Sequence, residues 1–234
     1  MEGLKAGSYA GIDDPRLGTI RAVSRRGINQ AVIRNAILDL GIKPVEATLK
    51  WENLYSANRA LIDRITPRLF FVESPALLQV KGVGSGSRKF SLPNHPDNKD
   101  LGERTVPLEV KRGMVDLQVA SSDISSIREG EEIRLMGLFN VKIDRTSQKN
   151  AEAEFSGTSH DLAEKKAMKL IQWVPVSFTV ATTILMPDAT TAKGVSERNV
   201  LLHKPGEILQ YVRFGFVRLE GVENEAVTAI FAHR

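Results

Sequence analysis

The spacing of apolar residues changes at Pro67, and this limits what the chain can fold into more than any other feature. Upstream, Val32, Ile33, Ala36, Ile37 and Leu40 recur at helical spacing, as do Leu54, Tyr55, Asn58, Leu61, Ile62 and Ile65. Downstream, runs rich in Val, Ile, Phe and Thr alternate with glycine, proline and asparagine turns: "LFFVE", "LLQVKGV", "VDLQV", "EIRLMGLFNVKI", "AEAEF", "LIQWVPV", "SFTVATTIL", "ILQYVRFGFVRLE" and "VTAIF". Many short strands with few helical intervals indicate barrels or sandwiches rather than a doubly wound α/β sheet. The chain therefore reads as α+β, mainly β, with its helices gathered at the N-terminal end.

Local signals place the helix ends. Asp13 and Asp14 before Pro15 predict a helix start, because a carboxylate caps free N–H groups and proline fits the first turn; Gly27 closes that helix. Asn29 caps a second helix, closed by Gly41 and followed by Pro44, and a third runs from Trp51 to Ile65, where Pro67 stops it.

The 234 residues, 42% of them hydrophobic, suffice for one large or two modest domains. There is no cysteine, which excludes disulfides and thiolate metal sites and fits a reducing compartment. His95, His160, His203 and His233 have no ligand spacing, so no metal site is expected. No apolar run reaches the roughly 20 residues of a membrane helix, and the expectation is a soluble, cytoplasmic protein with no membrane partner. The net charge of +4 is small, so a basic surface has to come from local clustering.

Catalytic constellations are missing. "GVGSGSRKF" lacks the Gly-Lys-Ser/Thr ending of a phosphate loop and reads as a hairpin connection. Ser159, His160 and Asp161 are consecutive, which does not give triad geometry, and read as an exposed turn. Arginines and lysines on or beside strands, with aromatic neighbours, suit a binder of single-stranded nucleic acid. Trp51 and Trp173 sit amid apolar periodicity and read as core, and Arg16 reads as a partner of Asp13 or Asp14.

The segment "GSYAGIDDPRLGTIRAVSRRGI" resembles the stretch that follows the catalytic domain in glutamyl- and glutaminyl-tRNA synthetases. "ENLYSANRALID", "TPRLFFV", "LPNHPDNKDLGERTVPL", "EIRLMGLFNVKI", "IQWV" and "LQYVRFGFVRLE" follow in that family's order. The resemblance implies a helical subdomain over 1–66 that meets the inner side of the tRNA, and then two anticodon-binding β-barrels. The proximal barrel would take 67–110 with 205–234, and the distal one 111–204. The family's His-Ile-Gly-His and Lys-Met-Ser-Lys-Ser signatures do not occur in the sequence. The expectation is thus a tRNA-binding segment beginning just after the second signature, without cofactor or catalytic residue of its own. ATP and Mg would belong to the catalytic part of the parent ligase.

The resemblance also implies site residues. Arg68 and Gln210 match the arginine and glutamine that hold the central anticodon uridine; arginine only donates, and the glutamine supplies the acceptor that the base's N3–H needs. Arg134 matches an arginine near the first anticodon base, whereas Met136 stands where a second arginine is expected. Ser125 and Ser126 stand where the glutaminyl branch has basic third-base readers, which implies either the glutamyl branch, with tRNA(Glu) as partner, or an enzyme that does not discriminate and also takes tRNA(Gln). Arg25 and Arg26 are candidates for phosphate contacts. Two alternatives stay open: the same region of a glutaminyl enzyme, and a module docking an amidotransferase or another synthetase.

Overall fold

A computed structural model describes residues 7–41 and 49–234, so Pro44 lies outside the described residues. Among the described residues the first helices are α1 (Ile20–Arg25), α2 (Gln30–Leu40) and α3 (Trp51–Ile62), the last running into a 3-10 turn at Asp63–Ile65. Asn29 caps α2 through Ala31 N as expected. The Asp13-Asp14-Pro15 start is not a helix start. The Asp14 carboxylate instead accepts from Ala10 N at 2.9 Å, Arg16 N at 3.0 Å and the Arg16 guanidinium at 2.7 and 2.8 Å. These bonds, the Arg16 side chain's first, hold its carboxyl well below the usual carboxylate range. A carboxylate spent on a turn cannot cap a helix, and Thr19 caps α1 instead, accepting from Ala22 N.

Val23, Ile28, Val32 and Leu54 form the helical core, with Trp51 and Tyr55 against it. The expected stripe on α2 buries only at Val32; Ile37 is 50% exposed. On α3 the stripe buries Leu54, Asn58 and Ile62 and leaves Leu61 and Ile65 outside.

The remaining elements are β1 (Arg68–Leu69), β2 (Phe71–Glu73), β3 (Pro75–Lys81), β4 (Arg88–Pro93), β5 (Glu103–Leu108), β6 (Met114–Ala120), β7 (Glu132–Leu135), β8 (Asn140–Thr146), β9 (Asn150–Gly157), β10 (Lys169–Ile171), β11 (Val174–Pro175), β12 (Thr179–Leu185), β13 (Thr191–Glu197), β14 (Ile208–Tyr211), β15 (Gly215–Glu223) and β16 (Ala226–His233). Two short helices interrupt them, α4 (Ser121–Ser126) and α5 (His160–Lys165). One sheet has the order β1-β14-β15-β16-β12-β13-β2, and the other β10-β7-β8-β9-β3-β6-β11. In the first sheet the two edge strands are separated in sequence by Phe70 alone, and in the second by Gln172 and Trp173. Each sheet must therefore curl until its edges nearly meet. Alternation does the rest: β3, β6 and β12 bury every second residue, which is the period of a strand with one face on a core. Trp173, 0% exposed, sits in the second core with Leu78, Leu117 and Ile133; Leu69, Tyr211 and Leu219 fill the first.

The sheets divide the chain differently from the expected boundaries. β12 and β13, expected in the 111–204 barrel, pair with β16 and β2 of the first sheet, while β3, expected in the proximal barrel, joins the second. The connection after β3 is not a hairpin either. β3 pairs with β6, and the β4–β5 ribbon is an excursion between them.

Candidate nucleic-acid interface

Arg68 and Gln210 are register partners in the parallel pair β1–β14, closed by Gln210 N to Pro67 O at 2.9 Å. Neighbours in register share a sheet face, so both side chains leave the same side, opposite the buried Leu69 and Tyr211. Both residues are half-buried. Among the described residues, the buried side-chain polar atoms without a hydrogen-bond partner are Arg68 Nε and Gln210 Oε1. One is a donor and the other an acceptor, yet they do not bond each other. Buried polar groups are paired in all but a few cases, so two orphans at adjacent positions leave a donor and an acceptor open to a ligand.

The β4–β5 ribbon supplies one wall. Its turn docks on β1 through Arg68 N to Asn94 O at 2.7 Å, which brings the buried His95 ring nitrogen Nε2 to 3.2 Å from Arg68 Nη2. Asp63 Oδ1, from the end of the helical region, lies 3.3 Å from the same Nη2 and anchors the guanidinium. Beside Arg68 opens a cleft of about 270 Å3, lined by Phe70, Pro93, Pro96, Met136 and Val212. It is apolar except for its arginines, which suits the flat face of a base. Met136 and Gly137 bring the β7–β8 turn of the second sheet to it, so the cleft spans both sheets. Gly137 is required there: its φ is +67°, and a Cβ would stand 2.4 Å from Leu92 Cδ2.

The other expected site residues have different placements. Arg134, two positions before Met136, is 7% exposed, and its Nη1 donates to Asn140 Oδ1 at 2.7 Å. It fixes the Asn140 side chain, which in turn holds Ser159 O at 2.9 Å. Arg26 is 2% exposed and interior. It donates to Tyr55 OH at 2.8 Å and Ala232 O at 2.7 Å, with Trp51 and Tyr55 rings beside its guanidinium. Arg25 grips Glu220 with two bonds of 2.7 and 3.1 Å. Phosphate contact at Arg26 is therefore corrected, because its guanidinium is interior; both guanidiniums tie α1 to the first sheet. Ser125 and Ser126 cap carbonyls of their own helix α4. Ser159 caps α5 through Leu162 N, and Ser159, His160 and Asp161 are exposed.

Sequence reasoning missed Asp63 and His95. The quoted "LPNHPDNKDLG" contains His95, but nothing in its composition shows that the turn folds back on Arg68.

A family described as "tRNA synthetases class I (E and Q), anti-codon binding domain" matches residues 66–160. The whole chain is similar to archaeal proteins named glutamate–tRNA ligase. It is 38% identical to that of Pyrococcus furiosus over 100% of the chain. It is 36% identical to that of Methanopyrus kandleri over 99% of the chain, and 34% to that of Methanocaldococcus jannaschii over 100%. In each case it spans 40% of the relative's length. Arg68 and Met136 fall inside the matched residues 66–160, so most of the cleft lies in the part of the chain that matches the anticodon-binding domain of the class I tRNA synthetases for glutamate and glutamine.

Proposed function

We propose that this chain grips the anticodon of tRNA(Glu), with the central uridine held on the sheet face that Arg68 and Gln210 share, beside the cleft. The observation that carries this is the pair of buried orphans, Arg68 Nε and Gln210 Oε1, side by side on one sheet face. A uracil edge shows acceptor, donor, acceptor; an arginine supplies donors, and the glutamine oxygen takes the N3–H. The two curled sheets then act as the anticodon-binding barrels, and the helical region over 1–66 meets the inner side of the tRNA. Arg134 supports the first-base region through Asn140 rather than by reaching into solvent.

The named relatives favour the glutamate branch, and Ser125 and Ser126 leave the third base without a basic reader. In the parent ligase, glutamate would be attached to tRNA(Glu) at a catalytic part that uses ATP and Mg, while this chain contributes binding alone. The same surface would admit tRNA(Gln) where third-base reading is weak.

Affinity for stem-loops bearing the glutamate anticodon tests this. Arg68→Ala should weaken binding by about 1–3 kcal/mol on a central uridine and much less on a central purine. Equal affinity of variant and parent for the uridine loop would overturn the assignment.

A further inference from the structure

We propose that His95 is a third base-contacting residue, its Nε2–H sharing with Arg68 one carbonyl oxygen of the bound pyrimidine. This rests on the uridine site proposed above and adds to it a specific atom.

The ring's tautomer follows from its surroundings. His95 is 2% exposed, and its Nδ1 accepts from two backbone N–H groups, Asp97 at 3.1 Å and Asn98 at 3.0 Å. A ring nitrogen that accepts cannot carry the proton, so Nε2 carries it. Nε2 lies 3.2 Å from Arg68 Nη2, and a guanidinium nitrogen only donates. The contact is therefore donor against donor and is not a bond. Of the two hydrogens on Nη2, one has Asp63 Oδ1 as acceptor, which leaves the other to share an acceptor with the imidazole N–H.

Two donors held at that spacing by a buried ring and an anchored guanidinium define where an acceptor oxygen fits. A uracil carbonyl supplies one, and an amino group in the same position would meet two donors and be rejected. Gln210 Oε1 complements this by accepting from N3–H. The three side chains arise from β1, the β4–β5 turn and β14, so a donor–donor–acceptor edge is assembled from three separated parts of the chain.

His95→Asn separates the two roles of the ring. The asparagine oxygen can take the place of Nδ1 and accept from Asp97 N and Asn98 N, while the outer donor is lost. Binding of the 234-residue chain to two anticodon stem-loops, one with a central uridine and one abasic at that position, supplies the readout. His95→Asn should bind the uridine loop roughly fivefold to tenfold more weakly, the worth of one hydrogen bond, and the abasic loop as the parent does. Equal weakening on both loops would make His95 a scaffold residue only and would overturn the inference, as would unchanged binding to both. A parent that does not distinguish the two loops would instead bring down the uridine site itself. Should His95→Asn fail to fold, His95→Gln keeps an outer N–H donor. It should retain the uridine preference, and loss of that preference in a folded His95→Gln chain would overturn the inference.

Discussion

Arg104 on β5 and Glu197 at the end of β13 form an ion pair, Nε to Oε1 2.7 Å, with side chains 6% and 1% exposed. The other carboxylate oxygen accepts from Phe70 N at 3.0 Å, and Phe70 is the residue on which the two edges of the first sheet meet. The pair thus fastens the ribbon and the sheet's seam together. Breaking one half of a buried pair leaves a charge with no compensation. Arg104→Ala should cost about 3–5 kcal/mol, read as a lower urea midpoint. An unchanged midpoint would show that the charge finds water.

Gly194 on β13 lies against β2, where an added Cβ would stand 2.0 Å from Val72 O. Gly194→Ala should destabilise by about 3 kcal/mol, because backbone cannot give way as a side chain can. Gly18→Ala, with nothing within 4 Å of its added Cβ, should be close to neutral. Similar urea midpoints for the two variants would contradict this packing.

Arg26 separates a docking role from a phosphate role. Arg26→Ala should lose about 2 kcal/mol of stability, since two short hydrogen bonds and the contact with the Trp51 and Tyr55 rings go with it. The slope of log K against log salt for tRNA binding should be unchanged. A slope reduced by about 0.7–0.9 would reveal a phosphate partner.

Gln210 sets binding against stability. Gln210→Leu removes a buried acceptor that has no partner, so the urea midpoint should hold or rise. Preference for a central uridine should nonetheless fall by about 1–3 kcal/mol. A variant that loses stability and keeps its preference would show that the glutamine is structural.

His233 gives the fold an acid limit. Its Nε2 accepts from Asn58 Nδ2 at 2.8 Å and its Nδ1–H faces Arg234 O at 3.0 Å, so the ring is held neutral. Burial, with Arg59 and Arg26 nearby, pushes its pKa below the usual imidazole value. A depressed histidine binds fewer protons folded than unfolded. Its stabilising contribution is therefore present above the ordinary imidazole range and declines as pH falls from about 6.5. Between pH 7 and 5 the urea midpoint should fall for the parent and stay flatter for His233→Gln; parallel curves would exclude His233.

The strands with period-two alternation were legible because one face of each lies on a core. β4 and β13 were not, since Pro93 and Gly194 disturb the pattern, and β5 was not because one of its alternating buried positions is the charged Arg104. Sheet membership was hidden because alternation says which face is buried and nothing about which strand lies alongside. The Asp13-Asp14 signal misled because Arg16 competes for the carboxylate. At the site, Arg68 and Gln210 were recognisable by resemblance, whereas the partners of Arg25 and Arg26 depend on strands β15 and β16 near the far end of the sequence. His95 needed the fold, since its role depends on which ring nitrogen two amides occupy.

The first sheet takes β1 and β2 from the start of the strand region and its other five strands from the end. A growing chain can therefore fold its helices and complete the second sheet while Arg68 still lacks the strand beside it. The face that carries Arg68 is thus completed late, and a chain cut short before β14 would keep the core of its second sheet but lack Gln210.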